Sequence, residues 1–267
     1  MSDAAPPALA AGPATEAPRA IGVFFTLTFA FSVPFLVAGS LTGAFLLPGL
    51  PVAALMAVCP GAAALVLAWR HGGAPEAGRL GRRAIDVRRL SPPGWWLAVA
   101  GLFPAIALVT YWLLRLAGAT LPAATVTPLE LGTLAAVFMA SALAEEIGWT
   151  GYATDPLVTR FGVLRGAVVL GIVWAAFHVV ALRQADRPVD WIAWWTLYTI
   201  ATRVILVQLY AHAGRSVCAA AVLHMSQNVS WQAFPQNGSH FDLHMVAPLT
   251  AAAAIAISLA ARRTTTT

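Results

Sequence analysis

Two adjacent carboxylates, Glu145 and Glu146, lie inside the apolar segment SALAEEIGWTGYA (141–153). The whole chain has 59% hydrophobic residues and only 10% charged residues. Ionisable groups are costly to hold inside such segments, so each glutamate is a candidate for a functional site. A carboxylate in such a place can take a proton from water and turn that water into a nucleophile.

Two further segments, WAAFH and HMSQN, carry polar side chains one helical turn apart. With the first segment they share a spacing of four residues, seen in the pairs Glu145/Trp149, Trp174/His178 and His224/Asn228. Residues four apart on a helix point to the same side. Three helices therefore each present one such pair, and together the pairs contain the groups needed to activate water and to stabilise an oxyanion.

Two versions of this chemistry are open. In the first, Glu145 accepts a proton from a water held against His178. His224 and Asn228 then donate hydrogen bonds to the substrate carbonyl oxygen as it becomes negative. In the second, Glu145, His178 and His224 bind zinc and leave a fourth position for water. Both versions hydrolyse an amide, and the spacing does not separate them because the groups come from different helices.

Each of these groups also has a purely structural interpretation. An intramembrane histidine or asparagine often only joins helices by hydrogen bonds, and the tryptophans can serve packing alone. The coincidence of embedded acids and three such pairs favours a catalytic site.

Glu146 is rotated by about 100° from Glu145 on a helix and cannot share its face. Arg203, in the sixth apolar run, needs an anionic partner, and Glu146 is the natural candidate.

The elements that must position these groups are long apolar runs. A helix that crosses the hydrocarbon needs roughly 20 mostly apolar residues. About eight such runs are present, near 20–40, 49–69, 94–114, 129–153, 163–182, 190–211, 216–233 and 243–261. The sequence therefore predicts an all-α polytopic membrane protein, with about eight transmembrane helices around an intramembrane polar site. The fourth run must continue to about residue 153 if Glu145 is to reach the level of His178.

The basic residues are all arginines, and their distribution predicts the orientation. Most of them lie before the first run, after the even-numbered runs, or at the C-terminal end. By the positive-inside rule, the protein is a multi-pass protein of the cell membrane with both termini in the cytoplasm. The basic loop between the second and third runs is better explained by contact with anionic lipid than by nucleic acid. The expected partners are the bilayer and a peptide or membrane-protein substrate.

The chain is predicted to form one helical domain at 19–263, with the motif-bearing core at about 94–233. A disordered Ala/Pro-rich tail is expected at 1–18, and a polar tail at 264–267. Neither Cys59 nor Cys218 supports a disulfide framework or a zinc cluster. No cofactor is expected, with zinc as the alternative.

The segments EEIGWTGY, WAAFH and HMSQN, in this order, closely resemble the three motifs of the CPBP (CAAX protease and bacteriocin-processing, Abi-type) intramembrane protease family. The resemblance covers mainly residues 94–233, including PPGWWLAVAGLFP at the start of the third run. It implies an endopeptidase in which Glu145 and His178 activate water. It also implies that His224 and Asn228 form the oxyanion site, without a metal or, alternatively, with zinc.

One position departs from the family pattern. The family carries an arginine four residues after the second glutamate, and this chain has Thr150 there. Threonine cannot make the bidentate charged contact of arginine, so Arg203 is expected to substitute, or Glu146 to be protonated. Two alternatives to proteolysis therefore stay open. One is a non-hydrolytic membrane immunity or binding protein, and the other is an enzyme of this fold repurposed for a lipid-like or prenylated substrate.

Overall fold

The computed structural model describes residues 16–90, 94–123, 125–212 and 214–264. Most of the two predicted tails, residues 1–15 and 265–267, lies outside these described residues. The first helix begins at Glu16, so it includes the last three residues of the predicted N-terminal tail. The last helix ends at Thr264.

The described residues form an almost entirely helical protein. The α-helices are α1 (Glu16–Thr42), α2 (Cys59–Ala84), α3 (Trp95–Leu116), α4 (Pro128–Gly148), α5 (Thr154–Phe161), α6 (Val163–Gln184), α7 (Val189–His212), α8 (Val217–Gln232) and α9 (Leu243–Thr264). The only strands in these ranges, β1 (Phe45–Leu47) and β2 (Leu50–Pro51), pair in a short antiparallel hairpin. Short 3-10 helices cover Val52–Val58 and Val87–Arg89. The predicted all-α fold class is confirmed.

Seven helical segments of the described chain are long and apolar enough to cross a membrane. They are Ala20–Thr42, Val52–Ala84, Trp95–Leu116, Pro128–Phe161, Val163–Gln184, Val189–His212 and Leu243–Arg263. Seven of the eight predicted runs are thereby confirmed. The protein is a polytopic membrane protein.

The remaining run, 216–233, forms the shorter helix α8. Its 16 residues extend about 24 Å, less than the thickness of the hydrocarbon core. Helix α8 packs against α2, α3, α4 and α7, and most of its side chains are buried. Because protein surrounds it, α8 carries polar residues that a lipid-facing helix of this length would not tolerate.

The fourth run continues past residue 153, as the position of Glu145 required. Helix α4 starts with a capping box, in which the Thr127 hydroxyl accepts from the Glu130 amide and the Glu130 carboxylate accepts from the Thr127 amide. After Gly148 a π-helical turn, Trp149–Ala153, leads directly into α5. Such π-turns inside α-helices often occur at functional sites. The combined segment reaches Phe161 and places Glu145 near its middle.

Two glycines allow α2 and α4 to approach closely beside the glutamates. A Cβ atom added at Gly148 would lie 2.4 Å from the carbonyl carbon and oxygen of Pro60. A Cβ atom added at Gly61 would lie 2.3 Å from the carbonyl oxygen of Ala144. Both neighbours are backbone, so neither can move aside without shifting a helix.

We therefore expect Gly148→Ala to destabilise the protein by about 1–3 kcal/mol, the usual cost of overpacking. The displacement of α4 should also lower activity. Gly101→Ala is the matched control, because no atom of the described residues outside its own helix turn lies within 4 Å of its added Cβ. Thermal unfolding in detergent compares the two variants, and equal melting temperatures would contradict the close approach.

Candidate active site

The Glu145 side chain is held by two tryptophans from different helices. The indole nitrogen of Trp149 donates to Glu145 Oε2 at 3.2 Å, and that of Trp174 on α6 donates to the same oxygen at 2.9 Å. The glutamate is only 3% exposed. The other oxygen, Oε1, has no hydrogen-bond partner among the described residues, and Glu145 lines a cavity. One carboxylate oxygen is therefore fixed while the other can take a proton.

His178 lines the same cavity and has one nitrogen already engaged. Its Nδ1 lies 2.8 Å from the carbonyl oxygen of Trp174, so this nitrogen carries the proton and donates it. Nε2 is then the accepting nitrogen of a neutral ring. Aromatic side chains hold the ring in place, with centroids at 5.7 Å for Trp174, 5.3 Å for Phe177 and 5.2 Å for Trp195.

Glu146 lies behind the cavity wall and is fully buried. Arg203 from α7 binds its carboxylate with both terminal nitrogens, at 2.8 Å from Nη1 to Oε2 and 3.0 Å from Nη2 to Oε1. The predicted pairing of these two residues is confirmed. The Thr150 hydroxyl also donates to Oε2 of Glu146. Fork-shaped contacts of this kind are the strong, geometrically specific form of an ion pair.

The guanidinium of Arg203 also stacks on the indole of Trp174, 4.0 Å from the ring centre. Arg203 is fully buried, and cation–π contacts gain strength when desolvated. Trp174 therefore touches both halves of the site, because its nitrogen donates to Glu145 while its ring supports the cation that neutralises Glu146.

His224 connects the buried ion pair to the cavity. Its Nδ1 lies 3.0 Å from Glu146 Oε1, so the Nδ1–H group donates a hydrogen bond to the carboxylate. His224 and Asn228, four residues apart on α8, both line the cavity. The His224 ring is 2% exposed, and its centroid is 5.1 Å from that of Trp174. Since Nδ1–H is engaged, His224 can donate from Nε2 only when both nitrogens carry protons.

These contacts divide the predicted site residues into two layers. The cavity-lining layer contains Glu145, His178, His224, Asn228 and Trp174. The layer behind it contains Glu146, Thr150, Trp149 and Arg203, none of which lines the cavity. Glu146, one of the predicted candidate residues, lies in the second layer and contacts the His224 ring from there.

The cavity has a volume of about 390 Å³. Its walls are mostly aliphatic and aromatic, with a small number of polar side chains among them. This combination of an apolar cleft with a few convergent polar groups is typical of binding and catalytic sites.

Two polar residues of the cavity wall were not predicted from the sequence. The hydroxyl of Tyr198 on α7 and Oε1 of Gln227 on α8 are buried near each other, and neither makes a well-formed hydrogen bond within the described part of the chain. Tyr198 is 3% exposed and Gln227 is 5% exposed. Gln227 lies directly before Asn228 in HMSQN, which was the available signal. Both groups are suited to bind peptide N–H or C=O groups of a ligand.

Zinc was predicted as the alternative, with Glu145, His178 and His224 as its ligands. No three His, Cys, Asp or Glu side chains within the described ranges are arranged to hold a metal ion. Glu145, His178 and His224 line one cavity.

Comparison with known proteins bears on these residues directly. Residues 127–230 match the sequence model of the family described as Rce1-like, type II CAAX prenyl endopeptidase. This range includes all three motifs and Arg203. No curated protein matches the chain. The family match supports a membrane-embedded endopeptidase of the CAAX protease type. Over residues 127–230, this chain is therefore similar to the type II CAAX prenyl endopeptidases of the Rce1-like family.

Proposed function

We propose that this protein is an intramembrane endopeptidase in which Glu145 activates a water molecule for attack on a peptide bond. The observation that carries the proposal is the different surroundings of the two oxygens of the Glu145 carboxylate. Two indoles fix one of its oxygens, and the other belongs to a cavity that also exposes His178.

The reaction proceeds through proton transfers at named atoms. A water molecule held by Glu145 Oε1 and His178 Nε2 gives a proton to Glu145 while its oxygen attacks the carbonyl carbon. The tetrahedral oxyanion accepts hydrogen bonds from Asn228 and from Nε2 of the doubly protonated His224. Glu145 then delivers the proton to the leaving nitrogen, the C–N bond breaks, and a carboxylic acid and an amine result.

Glu146 and Arg203 support this reaction from behind the cavity. The carboxylate accepts a hydrogen bond from the Nδ1–H of His224 and so sets the direction of Nε2. The negative charge of Glu146 lies directly beside this ring. Arg203 neutralises part of this charge and limits the cost of burying it.

Thr150 stands where the family motif has an arginine, and this difference left open an immunity or binding protein, or an enzyme repurposed for another substrate. In this chain, Arg203 supplies the bidentate guanidinium contact to Glu146 from another helix, and the Thr150 hydroxyl adds a further hydrogen bond. A charged partner for Glu146 is thus present although the motif arginine is absent. This compensation supports ordinary peptide-bond hydrolysis.

The test compares protein N-termini and C-termini in cells that express the wild type or Glu145→Ala at matched levels in the membrane. We expect a cleavage product that is present only with the wild type, and its sequence identifies the substrate. Identical sets of termini with both folded proteins would contradict proteolysis and favour a binding or immunity role.

The proposed mechanism needs no metal ion. Cleavage of the identified substrate by protein purified in detergent is expected to proceed at an unchanged rate after EDTA treatment, because the acid, the base and the oxyanion donors are all side chains. A loss of activity that zinc restores would contradict the metal-free mechanism.

Tyr198 is expected to bind substrate rather than to take part in the chemistry. Tyr198→Phe should raise KM by a factor of about 2–10, the effect of one lost hydrogen bond, and should leave kcat and stability unchanged. The matched control is Thr202→Val, because the Thr202 hydroxyl is also buried without a hydrogen-bond partner among the described residues but does not line the cavity. An equal rise in KM for the control would contradict the assignment.

A further inference from the structure

The cavity extends from the site toward one face of the helical bundle. Its deep end contains Glu145, near the middle of the Pro128–Phe161 segment. Its other lining residues include Leu46 and Gly49 of the hairpin after α1, and Arg187 after α6. Trp231 and Phe241, at and after the end of α8, complete this outer part.

All these outer residues lie on the same face, because the chain crosses back and forth. The hairpin follows α1, the Arg187 loop follows α6, and the segment with Phe241 follows α8. The connections after α2, α5 and α7 lie on the opposite face, together with the start of α1 and the end of α9.

The opposite face is closed by a polar network below the site. Arg83 on α2 donates to the Gly151 carbonyl oxygen at 3.0 Å and to the Tyr210 hydroxyl at 2.6 Å. Asp155 on α5 accepts from Tyr210 at 3.2 Å and pairs with Arg215. This network ties α2, α5 and α7 together, so it separates the glutamates from that face.

Arginine is distributed very unequally between the two faces. The closed face carries Arg19, Arg70, Arg79, Arg82, Arg83, Arg88, Arg89, Arg160, Arg165, Arg215, Arg262 and Arg263. The face to which the cavity extends carries Arg115, Arg183 and Arg187. Short loops rich in arginine stay in the cytoplasm. The closed face is therefore the cytoplasmic one.

We infer that the active-site cavity opens away from the cytoplasm, and that the substrates are peptide or membrane-protein segments exposed on the extracytoplasmic side. This inference rests on the proposed function for its substrate but not for its geometry. A tail displayed in the cytoplasm would meet the closed, arginine-rich face. The mostly apolar walls of the cavity suit an extended segment with aliphatic or aromatic side chains.

Single cysteines at matched positions test the orientation. Val189→Cys and Ile85→Cys replace exposed aliphatic residues, 74% and 67% exposed, on the cavity face and the arginine-rich face. Leu46→Cys, 42% exposed, reports on the cavity opening itself. Full-length variants in sealed right-side-out and inside-out membrane vesicles are treated with a membrane-impermeant maleimide. The wild type, whose Cys59 and Cys218 are buried, defines the background.

We expect Leu46→Cys and Val189→Cys to react in right-side-out vesicles, and Ile85→Cys to react only in inside-out vesicles. The reverse pattern, equal labelling in both vesicle types, or no labelling of the cavity face in right-side-out vesicles overturns the inference. The proposed function fails separately. If the cysteines are labelled as expected but no cleavage product depends on Glu145, the inferred orientation is supported and the proposed proteolysis is not. If the labelling pattern is reversed but cleavage depends on Glu145, proteolysis is supported and the inferred orientation is wrong.

Discussion

Glu145→Gln is expected to lower the cleavage rate by a factor of about 10² to 10⁴, the usual contribution of a positioned general base. Glutamine has nearly the same shape, and its amide oxygen can still accept the hydrogen bonds of Trp149 and Trp174. It cannot take a proton from water at neutral pH. We therefore expect kcat to fall while the melting temperature changes little, as measured by turnover of the identified substrate and thermal unfolding in detergent.

Glu130→Gln is the matched control, because it makes the same substitution on the same helix. Glu130 lies in the capping box at the start of α4, far from the cavity, and glutamine can also serve in such a box. Its activity should equal that of the wild type. Undiminished cleavage by Glu145→Gln would remove Glu145 from the mechanism.

Arg203→Met is expected to destabilise the protein by about 3–5 kcal/mol, the usual cost of leaving one partner of a buried ion pair alone. Glu146 is fully buried and would keep only the Thr150 hydroxyl and His224 as partners. Activity should fall as well, because His224 loses its fixed orientation. Chemical unfolding in detergent measures the stability, and a change below about 1 kcal/mol would show that the pair behaves like a solvated surface pair.

Two double variants separate charge compensation from packing. Glu146→Gln with Arg203→Met removes both charges and should recover most of the lost stability without the activity. Thr150→Arg with Arg203→Met returns the guanidinium to the position that the family motif uses. This double variant should recover both stability and activity if the role of Arg203 is to form the ion pair with Glu146. Recovery of neither property would indicate that Arg203 matters mainly through its contact with Trp174.

In the proposed mechanism, activity depends on both layers of the site. Trp174 positions both Glu145 and His178 for the proposed water, through its indole nitrogen and its carbonyl oxygen. The same indole ring carries the guanidinium of Arg203. A substitution at Trp174 would therefore disturb the water-activating pair and the ion pair together, whereas one at Asn228 would affect the oxyanion step alone.

The fold class and the side-chain pairs along single helices were predictable from the sequence because both depend on local patterns. Long apolar runs are visible in one dimension, since a membrane span must satisfy its own backbone hydrogen bonds and present apolar side chains to lipid. Pairs four residues apart are equally local. This spacing predicted correctly that Glu145 touches Trp149, and that His224 and Asn228 share a cavity.

Contacts between helices were decided only by the tertiary structure. The sequence indicated that Arg203 needs an anion, but only the packing of α7 beside α4 joins it to Glu146, and so compensates for Thr150. Packing alone also placed Glu146 behind the cavity wall, directed the indole of Trp174 at Glu145, and exposed Tyr198 and Gln227 to the cavity. Helix α8 falls short of a full span because neighbouring helices replace the lipid around it. Periodicity along one helix predicts which side chains share a face, but it does not predict which other helix packs against that face.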